Sequence, residues 1–327
     1  MKTPTITRRQ VIASLALATV TFPSRAQSGF PNRPIKIIVP WPAGGGSDAS
    51  TRLLLPGLAR RLGQPVVVEN RAGASGAIGH AAAAKSPADG YTLLYSSADT
   101  HAIVPHTHAQ TLFDSRRDFV GVASLGMYPL ALAVPASSPA RSVQQFVQSA
   151  REQKDPVSYG TVGTGSAGHI LCEAFREAAK INMLHVPYQG GAPLMQALLG
   201  NQLASTFTHV VSLDQHLRSG GLRMLAVTAK DRLPNYPDVP TFRELGIPLE
   251  NGSWGGILAP AGVPAEILAK LHDAIEATLA DPGPAEQNRN LSTLLEKMSQ
   301  ADFNRFILSE YEGWGRFVRA AKISVGS

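Results

Sequence analysis

Leu130-Ala-Leu-Ala-Val-Pro-Ala-Ser-Ser-Pro139 and Gly256-Ile-Leu-Ala-Pro-Ala-Gly-Val-Pro264 are two versions of one sentence. In each, an apolar strand ends in Pro-Ala, and a second proline opens a helix at the position where its missing N–H costs nothing. A strand-to-helix turn used twice would account for the pair. The sharper reading takes them as two chain crossings between lobes, near Leu130–Pro135 and Ser253–Pro260. The first lobe is then discontinuous, residues 28–128 plus 253–327, and the second is 129–252. Length points the same way, because about 300 residues exceed what a single core usually holds.

Outward from these segments, strand-like and helix-like stretches alternate, as in α/β proteins with mostly parallel sheets. Ile35–Val39, Val66–Val68, Thr92–Tyr95, Leu130–Val134, Met183–Val186, Leu203–Phe207 and Met224–Val227 are short and rich in branched or aromatic residues. Helical spacing marks Ser142–Gln153, His169–Ala179 and Leu194–Leu199, and Pro264–Leu279 and Ala301–Ile323 are expected to pack back onto the first lobe. Pro56-Gly57 is expected to kink or end the first helix, since proline removes a backbone donor. The fold class expected is a two-lobed α/β binding protein, each lobe a mostly parallel sheet flanked by helices, with the ligand in the cleft between.

Residues 1–26 have the form of a removable export signal: basic Lys2, Arg8 and Arg9, an uncharged apolar stretch Val11–Val20, and a small-x-small site Ser24-Arg25-Ala26. Cleavage after Ala26 would leave a soluble mature chain. Thr7–Ile12 also resembles a twin-arginine signal, and both export routes stay open. The net charge of +6 is largely a property of this leader; without it 26 basic and 24 acidic residues remain, with no Lys/Arg run to attract nucleic acid or lipid headgroups. Cys172, the single cysteine, can form no internal disulfide and is far from any lipid-anchor position. The compartment expected is a Gram-negative periplasm, and the protein a monomer.

Two glycine loops carry the chemistry: Pro40-Trp-Pro-Ala-Gly-Gly-Gly-Ser-Asp48 and Tyr159-Gly-Thr-Val-Gly-Thr-Gly-Ser-Ala-Gly-His169. Each turns from a strand into a helix start, where backbone N–H groups converge and the helix terminus adds partial positive charge, so an anion can be held without lysine or arginine. One such loop alone is equally a tight turn; one in each lobe points to a shared ligand. Both also fit a dinucleotide fingerprint, Gly44-x-Gly46-x-x-Ala49 and Gly163-x-Gly165-x-x-Gly168, with Glu69 placed for a ribose. An exported nucleotide-dependent oxidoreductase is therefore the rival reading, against which stands Pro40-Trp41-Pro42 between strand and glycines. His101, His106 and His108 crowd one loop, but no ligand set completes a metal site. Thr164 breaks a nucleophile elbow around Ser166.

The chain resembles the tripartite tricarboxylate transporter receptors, the Bug family of solute-binding proteins. The resemblance rests on Pro34–Gly46 with Asp48, Leu62–Arg71, Ala88–Leu93, the Gly163–His169 loop, Val186–Gly190, Leu222–Thr228, Val239–Thr241 and Trp254–Gly262, in that order. It implies a periplasmic receptor for a small carboxylate, without catalysis or cofactor, that delivers to a membrane permease. Carried over, Gly44, Gly45, Gly46, Ser47 and Asp48 form one clamp, with Asp48 as helix N-cap rather than a ligand contact, and Gly163, Thr164, Gly165, Ser166 and His169 the other. Ala43, Trp41 and Tyr188 offer walls, and Ser96 and Ser97 lie at a strand end. The family pattern is broken at Ala197, where an aspartate is usual, and at Gly200-Asn201-Gln202, where Gly-Gly-Gln is usual.

Overall fold

The computed structural model describes residues 29–108, 111–188, 190–250 and 252–321, so the export signal and its cleavage site lie outside the described residues. Ten strands form two five-stranded sheets: β1 (Ile35–Val39), β2 (Val66–Asn70), β3 (Thr92–Ser97), β4 (Phe119–Tyr128) and β10 (Ser253–Pro260) in one; β5 (Leu130–Pro135), β6 (Val157–Thr161), β7 (Met183–Pro187), β8 (Ser205–His209) and β9 (Leu222–Val227) in the other. The orders are β2-β1-β3-β10-β4 and β7-β6-β8-β5-β9.

These orders explain the repeated sentence. β5 and β10 occupy the same fourth place in their sheets, and each runs antiparallel to both neighbours, whereas β1, β2 and β3, like β6, β7 and β8, pair in parallel. The chain crosses at Pro129, between β4 and β5, and returns between β9 and β10. The crossings thus lie just ahead of the echoed strands, which are themselves sheet members.

The central strands are buried on both faces, as parallel sheets covered by helices require. Ile35, Ile37, Ile38 and Val39 are all at most 1% exposed, each such side chain contributing about 1.5–3 kcal/mol. One apolar cluster lies with the first sheet and another with the second. A third runs through both, from Ile38, Leu94 and Trp254 to Leu130, Phe175 and Phe207. The Gln300–Ala321 helix packs on β4 as expected, and also on the Ala167–Ala179 helix of the second sheet.

Sequence pattern alone does not mark β4, because glycines interrupt its alternation. Those glycines have a packing reason: a Cβ at Gly121 would lie 2.7 Å from the Phe303 ring, and one at Gly256 on neighbouring β10 would lie 2.3 Å from it. Phe303 seats in the furrow the two leave. Gly168 likewise lets the Ala167–Ala179 helix approach β8, since a Cβ there would sit 2.1 Å from the Phe207 carbonyl oxygen. The third glycine of the apparent fingerprint is therefore explained by helix–strand packing.

Pro56-Gly57 does not interrupt the first helix, which runs from Gly46 to Leu62 and ends at Gly63 in the left-handed region, φ 68°. The missing proline donor costs one helix bond, but Leu54, Leu58 and Leu62 bury the same face on either side of it. Gly57 is where the Ala265–Leu279 helix crosses: a Cβ would lie 2.4 Å from Thr278 Cγ2 and 2.9 Å from its Oγ1. Alanine ordinarily gains about 1 kcal/mol over glycine in a helix, whereas overpacking costs about 1–3 kcal/mol. Gly57→Ala is expected to destabilise the protein in urea titration, and Thr278→Ala in the same chain to recover most of the loss; a stabilising single substitution would mean that the helices part freely.

Candidate functional site

The first glycine loop is shaped by one buried carboxylate. Asp48, 3% exposed, accepts hydrogen bonds from Gly44 N (2.9 Å), Arg52 Nε (2.8 Å) and Asn70 Nδ2 (3.0 Å). Asn70 Nδ2 also reaches the Trp41 carbonyl at 3.1 Å, so the end of β2 grips both sides of the loop. Arg52, Gly44 and Asn70 together hold the Asp48 carboxyl well below the usual carboxylate range. The helix N-cap is Gly45, not Asp48. Asp48 sits inside the first turn and reaches back to Gly44, whose φ of +81° turns the loop over it.

The second loop is shaped by histidine. Ser166 is the N-cap of the Ala167–Ala179 helix, its hydroxyl accepting from His169 N and donating to the Gly163 carbonyl at 2.8 Å. His169 Nδ1 accepts the Gly165 N–H at 3.1 Å, which requires a neutral ring. Burial, followed by neighbouring His185 and Arg176, lowers the His169 pKa to about 4, and the ring stacks on His185 at 3.8 Å. Gly163 at φ +136° and Gly165 at φ +78° supply the turns.

Both loops line one cleft of about 720 Å³ between the sheets. Trp41 and the run Ala43, Gly44, Gly45, Gly46 and Ser47 form one side; Gly163, Thr164, Gly165 and Ser166 face them. Ser97 lines an adjoining compartment instead. Asp48, His169, Ser96 and Tyr188 are not lining residues. The first two hold the loops from behind, Ser96 Oγ lies 2.8 Å from His80 Nε2 in the interior, and the Tyr188 ring packs near Gly160. A strand end and an aromatic residue point to a cleft in sequence, but not to which side of the sheet the side chain takes.

Residues with no motif of their own also enter the site, among them His108, Gly191, His209 and Asp99. Gly191 begins the Gly191–Leu199 helix at the rim. His209, at the end of β8, is pushed toward its neutral form by burial, against the pull of Asp99. Asp99, beyond β3 in the first sheet, accepts the Ala167 N–H at 3.3 Å across the cleft. An internal carboxylate therefore occupies the N-terminus of the second loop's helix, a place suited to anions. No lysine or arginine lines the cleft among the described residues.

Glu69, placed by spacing for a ribose, is instead paired with Lys36 at 2.8 Å and with Arg71, and is not among the cleft residues. His101 is buried against His80 and Trp254, while His106 Nε2 meets the Tyr311 carbonyl at 2.9 Å. Ala197 is buried in the second lobe's core. Asn201 has φ +56°, a left-handed conformation that asparagine adopts more readily than most residues other than glycine.

The sequence matches the tripartite tricarboxylate transporter family receptors over residues 51–323. It is 35% identical to the protein BugT of Bordetella pertussis over 309 residues, covering 93% of this chain and 94% of BugT. Among solved structures, Rpa4515 of Rhodopseudomonas palustris with adipate is 31% identical, with a TM-score of 0.81 over 90% of this chain and 99% of that one. MatC of the same organism with bound malate is 29% identical, with a TM-score of 0.76 over 88% and 100%.

His169 binds protons less readily folded than unfolded, so its contribution to stability is complete above about pH 6.5 and is lost as pH falls toward about 4. Each such group gives a slope of about 1.4 kcal/mol per pH unit in that window. Urea midpoints followed from pH 7 to pH 4 are expected to fall, and His169→Asn, whose amide oxygen can still accept from Gly165, to flatten the fall by about one proton's worth. An unchanged slope would show that His169 is not the neutral acceptor described.

Proposed function

Since this chain belongs to the tripartite tricarboxylate transporter receptor family, we propose that it is a periplasmic solute-binding receptor that captures a small carboxylate and hands it, chemically unaltered, to a tripartite tricarboxylate-type permease. The observation that carries the reading is the meeting of two glycine loops, one from each sheet, across a single cleft that lysine and arginine do not line among the described residues. Backbone N–H groups at two helix starts supply the attraction. The relatives solved with adipate and malate hold carboxylic acids of the size this mode suits.

The incoming acid takes over the Ala167 N–H that Asp99 accepts, so binding exchanges an internal carboxylate for an external one. The lobes are residues 28–128 with 253–327, and 129–252, moving about Pro129 and the return crossing as the cleft closes. Contacts made only in the closed form shift the population toward it, which lets a permease distinguish loaded from empty receptor. The leader 1–26 directs export, and the mature protein acts as a monomer. Clamp residues are Gly44, Gly45, Gly46 and Ser47 on one side and Gly163, Thr164, Gly165 and Ser166 on the other, with Trp41 and Ala43 beside them.

Gly46 offers a clean test. It lies in the cleft, and a Cβ there meets no heavy atom within 4 Å, so Gly46→Leu fills the anion site without straining the fold. Titration calorimetry with the acid found by native mass spectrometry of the purified protein is expected to show affinity reduced at least a hundredfold in Gly46→Leu and abolished in Gly165→Val. Unchanged affinity in both would end the clamp assignment, and a tightly held dinucleotide in place of an acid would end the receptor reading. Small-angle scattering is expected to show a smaller radius of gyration at saturation; no change would remove the closing motion.

A further inference from the structure

A second compartment of about 470 Å³ adjoins the cleft. The two share Trp41, Gly46, Ser47, Asp99 and His209 as a common wall, so a ligand anchored at the glycine loops can extend from one into the other. Its far side is made by Tyr95, Tyr128, Ser50, Ser97, Ser253 and Asn288. None of these is charged, and no lysine or arginine lines it among the described residues. The Asp99 carboxylate on the shared wall is its single acidic group.

The donors there are arranged by a glycine. A Cβ at Gly255 would lie 2.8 Å from Tyr128 Oη and 2.9 Å from Tyr95 Oη, so its absence lets the two hydroxyls meet over β10. Burial raises the pKa of both tyrosines, and the Tyr95 hydroxyl donates to Tyr128, which also accepts from Ser50 and so has its own proton left to donate. Asn288, in the Pro282–Asn290 helix, is 9% exposed, and its Nδ2 is buried without a hydrogen-bond partner. A buried amide donor left unpaired is costly, and native proteins rarely retain one without an acceptor to meet it. Asn288 is one of the residues around a cavity adjoining the cleft.

We propose that this compartment is a specificity subsite for an uncharged carbonyl, most completely a carboxamide, at the far end of a monocarboxylate whose acid group sits at the glycine loops. The proposal rests on the carboxylate reading of the cleft and names the ligand class. The amide oxygen accepts from Asn288 Nδ2 and the Tyr128 hydroxyl, and the amide N–H groups find the Asp99 carboxylate. A second carboxylate would add a further negative charge beside Asp99 and the anchored acid, without the helix-start N–H groups that hold the first and with no cation to offset it. An alkyl end would leave the donors unpaired, the mismatch that polar sites reject most strongly.

The test uses three acids of one length on the full mature chain: the half-amide of adipic acid, adipate and hexanoate, each titrated by calorimetry. The half-amide is expected to bind at least tenfold more tightly than either competitor. Asn288→Leu is expected to shrink its advantage over hexanoate from both sides, weakening the half-amide and strengthening hexanoate, whose alkyl end no longer faces an unpaired donor, and Tyr128→Phe to reduce the advantage in a protein that keeps its Tyr128 ring packing. Thermal melts identify any variant that fails to fold. If adipate equals or exceeds the half-amide while Gly46→Leu still abolishes both, the subsite assignment falls and the receptor reading stands. If both variants keep the full preference, it also falls. If none of the three acids binds, the carboxylate reading fails and the subsite with it.

Discussion

The cleft depends on a carboxylate that does not line it. Asp48 draws Gly44 N–H, the Arg52 guanidinium and the Asn70 amide onto its two oxygens, and so fixes the loop before any ligand arrives. Hydrogen bonds to an ionised acceptor are among the stronger ones available to a protein. Holding three glycines in place this way means that the ordering cost of the loop is met during folding rather than at binding. The charge of Asp48 is spent inward, on groups behind the loop.

The second loop solves the same problem with different chemistry. There a neutral imidazole takes the Gly165 N–H and a serine hydroxyl caps the helix. The sheets repeat each other in strand order, down to the antiparallel fourth strand, yet the supports behind their glycine loops differ. Backbone geometry is what the two halves share.

Much of this could be read directly. The echoed Pro-Ala segments were legible as strand ends, although their second prolines are placed differently, Pro139 ahead of the Ser142 N-cap and Pro264 at the N-cap itself, and the glycine loops stood out because few other residues tolerate their φ values. What escaped reading was set by tertiary contact. Pro56 sits in an unbroken helix because Leu54, Leu58 and Leu62 hold its face down. Asp48 resembled an N-cap until Gly45 took that place. Asp99, His209 and Asn288 come from three distant segments, and only the folded chain brings them around one compartment. Tyr188 and Ser96 had suitable chemistry at strand ends, but their side chains serve packing.

The placement of β10 has a consequence for the order in which the protein is built. It pairs with β3 on one side and β4 on the other, strands made long before it, while the whole second sheet lies between them in the chain. As the polypeptide emerges from a ribosome or a translocation pore, β3 and β4 wait with unpaired edges while the second sheet has every strand it needs. Bare strand edges invite pairing with foreign chains. The nascent protein therefore passes through an interval in which one half can be finished and the other is adhesive, and that interval closes only when Ser253–Pro260 slides between two strands already in place.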